Sequence, residues 1–122
     1  MKITDPAHVR QVIQSYGQGR FQVSGRVFEG SILLTPDNAV PWPVRRARDI
    51  TAHSLDPVPA DTVDIVLVGC GERFGPPAKG LAEALKERGL ALEWMDTGAA
   101  CRTFNVLMAE DRRCAAALIA VE

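Results

Sequence analysis

The segment VDIVLVGCGERFGPPAKGLAEALKERGLALEWM, residues 63–95, changes hydrophobic period twice, and no other feature constrains the fold as strongly. Val63 to Val68 is an apolar run broken only by Asp64, the pattern of a strand covered on both faces. Downstream, Ala78, Leu81, Ala82 and Leu85 recur at helical spacing. Pro76 and Pro77 precede them, and Gly89 follows where a left-handed terminating residue belongs. The spacing predicts an amphipathic helix over 77–88, and ALEWM, 91–95, then returns as a strand. Asp96 or Thr97 caps a second helix that runs to about Ala109, and AAALIAV, 115–121, reads as the last strand. A strand-helix-strand-helix-strand order predicts a partly parallel, right-handed wound unit.

The first third has a different texture. VRQVIQ, FQV and SILLT are short β segments separated by Gly17, Gly19, Gly25, Gly30 and the turn Pro36-Asp37-Asn38. AVPWPV, 39–44, is extended, because each proline disfavours helix before it and removes a ladder donor, so it belongs at a sheet edge or bulge. With 122 residues, the two textures fit one α/β domain over 1–122, core about 9–121: a β-rich N-terminal half, a mixed sheet and two main helices.

Charge and cysteine usage exclude several function classes. The 14 basic and 15 acidic residues leave a formal charge of -1, and RRAR at 45–48 is the densest basic group, so no polyanion-binding field is implied and nucleic acid is not an expected partner. Cys70, Cys101 and Cys114 are odd in number and widely spaced, which suits a reducing compartment and gives neither a disulfide framework nor a structural zinc site. No apolar run approaches a membrane span, and MKITDPAHVRQ lacks the apolar core of a signal peptide, so a cytoplasmic protein is expected. His8 and His53 have no metal-binding or catalytic spacing, and no cofactor is implied.

Three motifs invite chemistry. Asp96-Thr97-Gly98 matches the catalytic triplet of aspartic proteases, but that triplet needs a tight turn in an all-β barrel, whereas here a helix follows. The expected role is capping of that helix. The turn GCGERFG departs from a dinucleotide fingerprint, with Phe74 at the third glycine position, and Lys79 before Gly80 excludes a P-loop. Gly69 and Gly71 still permit close backbone approach, and Cys70 between them could serve as a reactive thiol beside a helix end. Arg102 and Asn105 share a helix face away from Phe104 and Leu107. With Thr97 and the Gly69-Cys70-Gly71 turn they define a candidate polar cleft at the strand ends.

GCGERF after an apolar strand, the block AACRTFNVL, and EDRRCAAALIA near the end resemble a domain-of-unknown-function family of small bacterial proteins related to the mitochondrial respiratory complex I assembly factor 3. The likeness runs from about Phe21 to Ala120 and takes in SILLT, the Trp42 segment and ITAHS. It implies a compact α/β domain and an assembly role without a known reaction. Two positions depart from the family pattern: Cys70, where threonine is expected, and Asp111, where glycine is expected. The expected function is therefore non-catalytic protein binding of the assembly-factor type. The docking surface lies at Gly69 to Gly71 with Arg102 and Asn105, or at the Pro41-Trp42-Pro43 edge. The alternatives are a small-molecule protein or enzyme using the same cleft, Arg102 holding an anionic group and Asn105 orienting it, and a thiol function at Cys70. The partner's identity and the oligomeric state stay open.

Overall fold

A computed structural model describes residues 10–122. Two sheets and two helices are assembled in the order β1 (Ile13–Gly17), β2 (Arg20–Val23), β3 (Arg26–Glu29), β4 (Ile32–Leu34), β5 (Ala39–Pro41), β6 (Ile65–Gly69), α1 (Leu81–Glu87), β7 (Ala91–Met95), α2 (Thr97–Ala109) and β8 (Cys114–Leu118). The first three strands form an antiparallel meander, and the other five form a mixed sheet in the order β5-β4-β8-β6-β7. Within that sheet β6 pairs in parallel with β7 and β8, while β4 pairs antiparallel with β8 and β5.

The inner strands β4, β8 and β6 of the mixed sheet are buried on both faces. Val66 and Val68 of β6, with Ala115 and Ala117 of β8, face a core closed by Leu81 and Leu85 of α1 and by Trp42, Val44, Ile50 and Leu55. Leu67, Cys114, Ala116 and Leu118 face the opposite core, which Ala100, Phe104 and Met108 of α2 share with Ile13, Phe21 and Val23 of the meander. The alanines of β8 are fully buried. Their small side chains let the layers on either side approach the central strand.

Turn chemistry sets the meander. Ser24 and Gly25 have φ of 49° and 84°, the two positive angles of a tight hairpin turn, and they place Val23 opposite Arg26. Both helices end in the same way. Leu90 N–H bonds Leu85 O and Gly89 N–H bonds Lys86 O, while Arg112 N–H bonds Leu107 O and Asp111 N–H bonds Met108 O. Each pair is a Schellman closure around a left-handed residue, Gly89 at φ 87° and Asp111 at φ 60°. The left-handed angle at Asp111 accounts for the glycine expected there.

Several expectations need correction. The first helix begins at Leu81, not Pro77, because Gly80 takes φ 87°, and Ala78 and Ala82 are exposed. β1 starts at Ile13, four residues beyond the predicted start at Val9, which lies outside the described residues with His8. RVFE, 26–29, is also a strand, one whose charged ends and mostly exposed residues give it no apolar period. AVPWPV contributes an edge strand as expected, and ALEWM is β7 to the residue.

Candidate functional site

Thr97 is the first residue of α2 and is fully buried. Its hydroxyl accepts from Gly71 N–H at 3.0 Å and donates to Ile119 O at 2.8 Å, and its own N–H donates to Gly71 O at 2.9 Å. Thr97 therefore latches the end of β6 to the segment after β8. A Cβ on Gly69 would come within 2.9 Å of Thr97 Cα and 3.0 Å of Leu118 Cδ2, so glycine is required there by contact with α2, not by a ligand. Gly71 takes φ 119°. Capping falls to Asp96 alone, whose carboxylate accepts from Ala99 N–H at 2.8 Å.

Asn105 is also consumed by the frame. Its side-chain amide donates to Ile13 O at 2.9 Å and accepts from Ile13 N–H at 2.8 Å. The carboxamide thereby imitates a neighbouring strand and clips β1 onto α2, where the ladder to β2 shifts register between Ile13 and Ser15. Arg102, one turn earlier, is exposed and donates to Tyr16 Oη at 3.3 Å. The phenol lies across the first turn of α2 over Gly98, where an added Cβ would sit 2.7 Å from Tyr16 Oη.

The predicted cleft residues thus diverge. Gly69, Gly71 and Thr97 point into the packed interior, Asn105 closes on β1, and only Arg102 reaches solvent. Cys70 is 4% exposed, and its Sγ lies 3.5 Å from Arg73 O, which does not match the accessible thiol a reactive role requires. Burial pushes the Cys101 thiol up to about 12 and the Cys114 thiol up to about 11, so both stay protonated at neutral pH. Trp42 is no free edge either, because its ring is 4% exposed in the α1-side core and its indole N–H donates to Ser54 O at 2.9 Å. Among the described residues no group of three His, Cys, Asp or Glu converges as a metal site would, and no helix is long and apolar enough to cross a membrane.

What the block AACRTFNVL does present is a surface. Val106, four residues from Arg102 on α2, is 55% exposed, and Tyr16 is 41% exposed. Tyr16 and Val106 were missed by sequence reasoning. The signal for Val106 was an apolar residue off the stripe formed by Ala100, Phe104 and Met108. Nothing local marked Tyr16, which is 86 residues from Arg102 in the chain.

Fold and latch together define a class, a small α/β domain in which an antiparallel meander and α2 cover one face of a mixed sheet. The chain belongs to the family described as protein of unknown function (DUF498/DUF598), whose model matches residues 13–119. It is 38% identical over 113 residues to human NADH dehydrogenase [ubiquinone] 1 alpha subcomplex assembly factor 3, an alignment covering 88% of this chain and 59% of that protein. The chain thus spans about 59% of the length of that relative. An uncharacterised protein of Rhodobacter capsulatus is 37% identical, with 88% and 82% of the two chains covered. The crystal structure of a Bordetella parapertussis protein superposes with a TM-score of 0.84 at 36% identity, covering 94% of this chain and 99% of that one.

Proposed function

We propose that this domain is a non-catalytic protein-docking module of the assembly-factor type, and that it meets its partner through the outward face of α2 at Tyr16, Arg102 and Val106. One observation carries the reading. Arg102 has no carboxylate within ion-pair distance among the described residues; it donates to the Tyr16 hydroxyl and lies one helical turn from the half-exposed Val106. Arg10, Arg88 and Arg113 each reach an aspartate; Arg102 shares the lack of one with most other described arginines and is set apart by its hydrogen bond to the Tyr16 phenol. Arginine and tyrosine are the residue types enriched at interface anchors, and the arginine fork can hold a partner's carboxylate through two parallel hydrogen bonds, with Val106 adding apolar area beside them.

Two further points support it. The side chains that could have lined a ligand cleft are spent on holding the frame together, and the human relative bears an assembly factor's name. The partner follows from the chemistry as a protein surface with an acidic side chain set among apolar ones. Three buried thiols support a reducing compartment, which we take to be the cytoplasm. The test is capture of a protein partner by the intact chain against its Arg102→Glu and Val106→Asp variants, with thermal melts run in parallel. Lost capture with retained folding is the expected outcome. Capture that survives both variants would remove this face as the docking surface.

A further inference from the structure

The described chain has four sheet edges, and they are not equally protected. At β1 the outward N–H and C=O of Ile13 are already filled by Asn105. At β5, Pro41 lacks a donor. At β7, Glu93 is the central residue, so a symmetric antiparallel partner would set Glu93 against Glu93. The β3 edge has none of these guards.

Its hydrogen-bonding parity is fixed by the turn and by one further bond. Gly30 N–H donates to Gly19 O at 2.8 Å, and the hairpin places Val23 opposite Arg26 and Phe21 opposite Phe28. Residues 26, 28 and 30 therefore turn their backbone groups toward β2, and Val27 and Glu29 turn theirs outward. No described strand lies on that side. Val27 is also 61% exposed, more than any other exposed valine among the described residues.

We propose that the β3 edge is a self-association site, where a second copy of this chain pairs antiparallel with Arg26–Glu29 about Phe28 and joins the two meanders into one continuous sheet. A two-fold axis normal to a sheet brings residues of the same parity opposite one another, and the register about Phe28 satisfies this with the outward-bonding residues in place. Val27 and Glu29 of one copy exchange backbone bonds with Glu29 and Val27 of the other. Phe28 meets Phe28 as the close, non-hydrogen-bonded pair, an arrangement that favours aromatic contact. Arg26, whose guanidinium already lies 5.0 Å from the Phe28 ring centroid, falls opposite Gly30, around which an added Cβ would find nothing within 4 Å. No like charges face each other, and a strand holding one arginine and one glutamate carries no net charge to repel its own copy. An interface this short gives weak, concentration-dependent pairing.

The proposal is independent of the α2 docking face, and sedimentation equilibrium of the intact chain from low-micromolar to millimolar concentration tests it. The wild type should pass from protomer to twice the protomer mass. Val27→Pro removes an outward N–H that no hydrogen bond among the described residues uses, and Val27→Lys adds charge at the edge without touching the ladder to β2. Each should weaken the association at least ~tenfold while melts and circular dichroism show a native fold. Glu83→Arg on α1 should leave it unchanged. A wild type that stays at protomer mass throughout overturns the proposal, and so does a dimer that folded Val27→Lys leaves intact.

Discussion

The carboxamide of Asn105 makes two hydrogen bonds to the backbone of Ile13, 92 residues away, donating to its carbonyl at 2.9 Å and accepting from its N–H at 2.8 Å. A helix side chain thus supplies what a fourth strand would have supplied to the meander. Both bonds are part-buried. Asn105→Ala should therefore cost about 1–3 kcal/mol, the penalty for leaving a donor and an acceptor unpaired away from water. Asn105→Asp keeps the acceptor and loses the donor, and should also destabilise. Urea unfolding of both variants checks this, and a loss under ~0.5 kcal/mol for Asn105→Ala would show that the clip is replaced by water.

Thr97 and Gly69 form a second coupled pair. Thr97→Val preserves shape but strands Gly71 N–H and Ile119 O, so it should destabilise by about 1–3 kcal/mol, while Thr97→Ser keeps the hydroxyl and should cost less. Gly69→Ala forces a Cβ against backbone at 2.9 Å, and a shift of the α2 N-terminus should cost about 1–3 kcal/mol. Thermal melts of the three variants give the order. Thr97→Ser falling as far as Thr97→Val would contradict the hydroxyl latch.

At Asp111 the expected sign is the opposite. The residue holds φ 60° at the close of α2, with an exposed ion pair to Arg10 at 2.6 Å. Glycine adopts that angle without steric cost, and a surface ion pair contributes little. Asp111→Gly should leave stability within about 1 kcal/mol of wild type, whereas Asp111→Val, β-branched in a left-handed position, should lower it by more. Denaturation midpoints at fixed ionic strength separate the two.

The buried thiols predict an alkaline limit. Cys101 is raised from 9.0 to about 12 in the folded chain by burial, with Arg102 opposing the shift. Below the unfolded value the thiol is neutral in both states and the contribution is fully present. Between about 9 and about 12 the unfolded chain sheds the proton first, so stability falls as pH rises. Cys114 adds to the same window, up to about 11. Unfolding free energy measured from pH 7 upward should decline above pH 9, and the decline should be shallower in Cys101→Ala; equal slopes in the two proteins would contradict this assignment.

How much of this was legible from the residues varied with sequence distance. β7, the span of α2 and the parallel core were readable because their apolar periods are local and strong. The strand RVFE was not, since charges at Arg26 and Glu29 leave only two apolar residues, and only the Ser24-Gly25 turn betrayed it. The prolines at 76 and 77 suggested a helix start that the left-handed Gly80 forbids. At the site, Asn105 closes on Ile13 of β1 while Arg102, one turn earlier, is exposed and meets Tyr16 at its edge, and both partners come from far upstream in the chain. Spacing reveals which residues share a face and says nothing of what is laid upon it.

The proposed contact between the outward face of α2 and a protein partner can be trapped directly. The most direct measurement places a photo-reactive side chain at Val106 and, as a control, at Glu83 on α1, then irradiates the intact chain in its native extract. A discrete adduct with another protein is expected at Val106, absent at Glu83 and lost when Arg102→Glu is added to a chain that still melts as wild type. No adduct at Val106, or one equally strong at Glu83 and indifferent to Arg102, would contradict it.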